Sequence, residues 1–294
     1  MPEVGVLIMH GVSDARSLRE FKKEGGYATL VDRLTERIRR AHPEVKRSQI
    51  RFQPGFYSDI LQGEQDKLWD KVADGLQWQR VRSIIFHLFS DATAYTNRVS
   101  SGPTPHQMIH ERLRDQLNEL RSSLREPETA RLVIAVHSLG CQVISDLIWD
   151  ATGGDRRPRG GQPAYGGIWK DRPPANTFES FEALDLLVTF GCNIPLFVSG
   201  YESIKAFREP SPGFQWHNFF DDDDVLGFPL QKIPSPRGGK PEHRYRVRVT
   251  RDHLSKTGLT PLSHVKYWGD RDMVHPMARM LAQIQQGEPV DPDA

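Results

Sequence analysis

Short runs that are apolar at every position alternate along this chain with longer stretches in which apolar residues recur every third or fourth place. Residues 4–9 form the first such run and end abruptly in His10-Gly11; a strand that is apolar throughout is one covered on both faces. Leu30, Val31, Leu34 and Ile38 then sit at helical spacing among charged residues, which predicts a covering helix over 27–38. Residues 50–57 read as a second strand interrupted by Pro54-Gly55. Residues 61–89 read as mostly helical through Leu68, Val72 and Leu76, and 109–124 as a helix through Leu113, Leu117, Leu120 and Leu124. The run 132–136 is again apolar throughout and leads at once into a helical pattern over 140–149. Further strands are predicted at 183–190 and 216–220, and the alternating basic and β-favouring residues of 244–250 suit an edge strand with one wet face. A helix over 274–284 follows.

Strands alternating with helices predict an α/β fold, a mainly parallel sheet flanked by helices, with ligands bound beyond the carboxyl ends of the strands. A chain of 294 residues accommodates this as a single domain over 1–294. The stretch 153–174 is rich in Gly, Pro and Arg and poor in core-forming residues, and is expected to be a flexible flap inserted behind the 140–149 helix.

Composition narrows the function classes. With 39 basic and 38 acidic side chains the formal charge is +1, so no field recruits nucleic acid or an anionic membrane. The two cysteines, Cys141 and Cys192, are too few for a disulfide framework or a zinc site and read as reduced core thiols. No charged leader with an apolar core precedes the first strand, and no apolar run is long enough to span a bilayer. A cytoplasmic protein without a transmembrane segment is the expectation.

The candidate chemistry lies at the predicted strand ends. Ala135-Val136-His137-Ser138-Leu139-Gly140 stands directly after one strand and before a helix. It resembles the nucleophile elbow, G-x-S-x-G, of the α/β-hydrolase superfamily, in particular bacterial esterase or lipase-like members. The family's fold and chemistry are what this resemblance implies, with Ser138 as nucleophile. Gly140 meets the need for a small residue in the turn. Val136 stands where the family usually has glycine, and its β-branch is expected to crowd the turn.

Two further segments match the family in the chain order Ser, Asp, His. The strand 216–220 runs into Asp221-Asp222-Asp223-Asp224, where the family places its acid; Asp224, beside Val225-Leu226, fits best by that analogy. Ser263-His264 follows the last predicted strand, where the family carries its histidine; among eleven histidines His253 is the nearest rival. By the same resemblance the oxyanion-hole backbone donors are Leu139 and Val12, and His10, Gly11, His137 and Gly140 support the elbow and the facing loop. The expected substrate is a small-molecule or lipid ester. An amide or thioester on the same triad, or a binding protein with a vestigial site, are the alternatives.

Other motifs are set aside. His106-Gln107-Met108-Ile109-His110 has two histidines four apart, but Gln107 stands where a zinc protease has its glutamate base, and the segment reads as an exposed helix start. Gly238-Gly239-Lys240 lacks phosphate-loop spacing, Arg156, Arg157, Arg159 and Arg172 read as a solvated loop, and Trp69, Trp78 and Phe86 read as core. No metal and no cofactor are expected.

Overall fold

The computed structural model describes residues 1–11, 22–23, 25–97, 99, 101–154, 164–202, 204, 206–207, 209–230 and 264–290, apart from the side chains of 64, 80, 81 and 84, together with the backbone of 245–249. Strands β1 (Val4–Met9), β2 (Ile50–Gly55), β3 (Arg131–His137), β4 (Leu184–Phe190), β5 (Gln215–Phe220) and β6 (Tyr245–Val249) form one six-stranded sheet in the order β2-β1-β3-β4-β5-β6. Every neighbouring pair is parallel. Among the described residues the helices include α1 (Gly26–Ala41), α2 (Ser58–Val72), α3 (Gln79–Thr96), α4 (Pro105–Ser122), α5 (Leu139–Ala151), α6 (Ile194–Val198) and α7 (Arg271–Gln286).

The period-two geometry of a strand explains why the inner strands are apolar throughout. Val4, Val6 and Ile8 of β1, with Val133 and Ala135 of β3, face one core, which Leu30, Leu34 and Ile38 of α1 and Met277 and Leu281 of α7 complete. Leu7, Met9, Leu132, Ile134 and Val136 point the other way, onto Ile109, Leu113 and Leu117 of α4 and Val143, Ile144 and Leu147 of α5. Each fully buried aliphatic side chain in these layers contributes roughly 1.5–3 kcal/mol. Helix α4 starts one residue after Thr104, whose side chain accepts from Gln107 N–H while the Gln107 side chain accepts from Thr104 N–H.

Pro54 is tolerated inside β2 because that strand is a sheet edge, where a missing N–H costs no ladder bond. The helical stretch expected over 61–89 is two helices, broken at Gly75 (φ 71°) and at Trp78 in the left-handed region (φ 61°). The base of this hairpin joins the core through Leu61 and Tyr95, and its far end is exposed. Leu68, Val72 and Phe89 are exposed, and Trp78, at 76% exposure, is not a core residue, contrary to expectation; Trp69 is half-buried against Phe86, ring centroids 5.2 Å apart.

Only part of the stretch 153–174, expected to be a flap, lies among the described residues. Residues 155–163, with Arg156, Arg157 and Arg159, lie outside the described residues, but 167–169 form a 3₁₀ turn that buries Trp169 completely. Its indole donates to Leu147 O (3.3 Å), and the Arg114 guanidinium lies 4.7 Å over its ring. Aromatic burial anchors this part of a segment whose composition reads as loop. The segment at His106 is also unlike the expected exposed helix start: His106 and His110 are 5% and 0% exposed, because the face of α4 that carries them turns inward.

The chain runs from β1 out to β2, back across β1 to β3, and then onward to β6. The direction therefore reverses between β1 and β3, and it is at the carboxyl ends of the strands flanking such a switch point that open α/β sheets bind ligands.

Candidate active site

β1 and β3 are in register with Met9 opposite Val136, so His10-Gly11 and His137-Ser138 leave the sheet side by side. Ser138 is the N-cap of α5 with φ 54° and ψ −128°, a positive φ that a non-glycine residue adopts only under constraint. The constraint is close packing. A Cβ on Gly11 would lie 2.6 Å from Leu139 N and 2.6 Å from Ser138 Cβ, and one on Gly140 would lie 2.4 Å from His10 O and 2.7 Å from Val136 Cγ2. The crowding expected of Val136 is thus taken up where Gly140 has no side chain. Leu139 is the first residue of α5, where a backbone N–H has no acceptor within the helix and the helix dipole is positive. Val12 lies outside the described residues.

Ser138, His264 and Asp224 form one hydrogen-bonded chain. His264 Nε2 is 2.8 Å from Ser138 Oγ, and His264 Nδ1 is 2.9 and 3.1 Å from the two Asp224 carboxylate oxygens. All three residues are buried, at 2%, 5% and 4% exposure. His253 lies outside the described residues.

Asp224 is selected from its run by the loop's own hydrogen bonds. Asp221 Oδ1 accepts from Asp223 N–H (2.9 Å), which turns the chain; Asp222 is exposed and Asp223 half-buried. Asp224 Oδ1 accepts from Leu226 N–H (2.9 Å) and Oδ2 from the Tyr267 hydroxyl (3.0 Å). Burial pushes the Asp224 pKa up, but hydrogen bonds and charge from His264, with the donors Leu226 N–H and Tyr267, outweigh it and hold the carboxyl below its ordinary value. Burial raises the pKa of Asp221.

The sequence reading missed Tyr267. Its hydroxyl bridges the acid loop, accepting from Asp221 N–H (2.9 Å) while donating to Asp224, and burial raises its pKa far above the usual phenol. The one signal was its place three residues after His264, one turn of 3₁₀ helix away. Tyr57 was missed as well. Its hydroxyl donates to His10 O (3.0 Å) and its ring stacks on His10 at 4.7 Å, which pins the loop after β1.

His10 and His137 are neutral framework groups. Burial lowers the pKa of His10 to about 4; its Nδ1–H donates to Gly11 O (2.8 Å), leaving Nε2 to accept from the Ser58 hydroxyl (3.2 Å). Burial, reinforced by neighbouring His264, lowers His137 to about 3, and its Nε2–H donates to the backbone carbonyl of His264 (2.7 Å).

No family model matches the chain, and no curated protein does. Among solved structures it is similar to dienelactone hydrolase from Anabaena variabilis (10% identity, 98% of this chain and 88% of that one, TM-score 0.41). A cutinase-like protein from Cryptococcus sp. is similar too (10% identity, 97% and 96% coverage, TM-score 0.40). The fold is of the α/β-hydrolase type. Its own strand order, the reversal between β1 and β3 and the strained turn between β3 and α5 carry that assignment. No helix among the described residues is long and apolar enough to cross a membrane.

The arrangement is chemically competent for proton transfer. Asp224, ionised, can only accept, so Nδ1 of His264 carries the proton and Nε2 presents its lone pair to the Ser138 hydroxyl.

Proposed function

We propose that this protein is a serine hydrolase that cleaves a carboxylic ester through an acyl-enzyme, with Ser138 as nucleophile, His264 as general base and Asp224 as the orienting acid. The observation that carries the reading is the 2.8 Å contact between His264 Nε2 and the hydroxyl of a serine held at φ 54°. In the proposed reaction Ser138 Oγ attacks the ester carbonyl as His264 takes its proton, and the Asp224 carboxylate stabilises the resulting imidazolium. The carbonyl oxygen becomes an anion in front of Leu139 N–H at the start of α5, with Val12 N–H proposed as second donor. Its collapse expels the alkoxide, which leaves with the proton from His264. Water then repeats the sequence on the acyl-serine and restores the hydroxyl.

The substrate class proposed is a small-molecule or lipid ester: helix α2 begins at Ser58, whose hydroxyl touches His10, and the hairpin it opens exposes Leu68, Val72, Trp78 and Phe89 away from that end. Cys141 and Cys192 are buried and not joined in a disulfide, which suits a reducing compartment, and a cytoplasmic location is proposed on that basis.

The test is labelling with a fluorophosphonate probe, which reacts quickly only with an activated serine. Wild-type protein should gain one adduct by intact mass, and Ser138→Ala should gain none and lose on the order of 10⁶ in turnover. Equal labelling of the variant, or an unlabelled wild type, would end the proposal.

A further inference from the structure

Outside the candidate active site, a second group of chemistry-bearing side chains lies between α4 and α5. His106 and His110 are four apart on α4, and Asp146 and Asp150 are four apart on α5, so each pair shares one helix face. One nitrogen from each histidine and one oxygen of Asp150 lie within 4.8 Å of one another. The His106 and His110 rings are 3.9 Å apart between centroids. Asp150 is at the far end of α5 from Ser138, so this cluster and the strained serine do not share a surface.

We propose that His106, His110 and Asp150 bind a structural divalent transition-metal ion of the zinc class. Two imidazoles and a carboxylate are a nitrogen and oxygen donor set that zinc accepts, and a water completes the tetrahedron on the half-buried Asp150 side. Ligand atoms of a zinc tetrahedron stand about 3.3 Å apart at bond lengths near 2.0–2.1 Å, so rotation of the side chains by an ångström or so closes the present set onto the ion.

Outer-shell hydrogen bonds prepare it. The Tyr95 hydroxyl gives its one proton to Asp146 Oδ2 (2.9 Å), so toward His110 Nε2 (3.0 Å) it can only accept. Nε2 therefore carries the ring proton and Nδ1 keeps the lone pair, the tautomer a metal needs. Asp146 Oδ1 accepts from Gln142 Nε2 (2.8 Å), which occupies both its oxygens and gives it the supporting role. Charge agrees as well: a dication with two carboxylates and two neutral imidazoles sums to zero, the balance a largely buried cluster requires. Asp150 lies against the backbone of Gly166 and Gly167, where an added Cβ would come within 2.2 Å of its oxygens, so the ion would also fasten the 3₁₀ turn around Trp169 to the helices. Gln107 in place of glutamate removes a protease-like base from the motif; it does not remove the ligands.

The experiment uses the full chain, stripped with a chelator and dialysed against zinc. The expected result is one zinc per chain by elemental analysis, a rise in Tm of about 5 °C at a hundredfold excess over Kd, and, with cobalt(II) substituted, the visible bands of a four-coordinate ion. His106→Gln and Asp150→Asn should each weaken binding at least a hundredfold, and Tyr95→Phe by about tenfold to a hundredfold through loss of the tautomer lock. Asp150→Asn is half-buried and retains the side-chain shape, so it reports on binding even if the buried histidine variant folds poorly. Absence of stoichiometric zinc, or zinc binding unchanged in both His106→Gln and Asp150→Asn, overturns the proposal. None of these readouts uses hydrolysis, so the outcome is independent of the reaction proposed for Ser138.

Discussion

Two buried carboxylates in this molecule are held by comparable numbers of donors and serve opposite ends. Glu179 receives Arg114 Nε (3.0 Å) and Nη2 (3.1 Å), Asn118 Nδ2 (2.7 Å) and Ala175 N–H (2.7 Å). Asp224 receives His264, Tyr267 and Leu226 N–H. In both, burial pushes the pKa up and the donors more than reverse it. The difference is the partner. Arg114 is a permanent cation, so the charge at Glu179 is already matched and the pair is closed; it locks α4 to the segment before β4. In the proposed reaction His264 becomes charged only as it takes the serine proton, so the field of the Asp224 carboxylate is left to act on a proton that has yet to arrive. A buried charge matched in the ground state is scaffold, and one left unmatched until a reaction proceeds is chemical capacity.

The largest effect that sharpens this contrast is expected from Asp224→Asn. An amide keeps the shape but favours the wrong imidazole tautomer, with a loss on the order of 10⁴ in turnover, about 5.5 kcal/mol in the barrier. Asp222→Asn, on the exposed side of the same loop, should cost less than about tenfold. If the second variant proves the crippling one, the assignment of the acid is wrong.

Next in size is Glu179→Gln. Leaving Arg114 buried without its counter-charge should cost about 3–5 kcal/mol of stability in urea unfolding, while turnover per folded molecule, by active-site titration, stays within about threefold. The two variants should thus exchange rank between the stability and activity assays; a shared rank breaks the comparison.

Slightly smaller is a pH effect on the histidine side alone. Unfolded, His10 and His137 titrate near 6.5, whereas folded they stay neutral down to about 4 and about 3. The unfolded chain binds more protons throughout that window, so stability is fully present above about pH 6.5 and falls as pH falls. Between pH 6 and 4.5 the two together should remove about 3.5 kcal/mol. Urea midpoints in wild type and His10→Gln measure it: the variant should lose about half of this slope, and an identical slope would show that His10 is not the buried neutral group described.

Much of the fold is legible because the sheet is covered on both faces. That geometry writes itself into the sequence as uninterrupted runs such as 4–9 and 132–136, and the strained turn announces itself by standing between such a run and a helix. His264 is readable by chain order. Features carried by polar atoms facing inward are not. Helix α4 is legible over 109–124 through Leu113, Leu117 and Leu120, but its first turn buries His106 and His110 and therefore reads as a helix start in water. Trp169 lies in a segment whose glycines and prolines mask a single deep anchor. Tyr267 touches Asp224 only because a 3₁₀ turn and the loop after β5 meet, a relation between segments 43 residues apart that no local pattern encodes.

The bond from His137 to the His264 backbone has a further consequence in the proposed reaction. During the second half-reaction the serine oxygen is esterified, and the 2.8 Å hydrogen bond that located the imidazole is gone. His137, one residue from the nucleophile, still grips the carbonyl of His264 at 2.7 Å, and Asp224 still grips its ring. The base therefore keeps its station through deacylation without help from the group it serves, ready to deprotonate the incoming water instead of drifting into the space the serine hydroxyl has vacated.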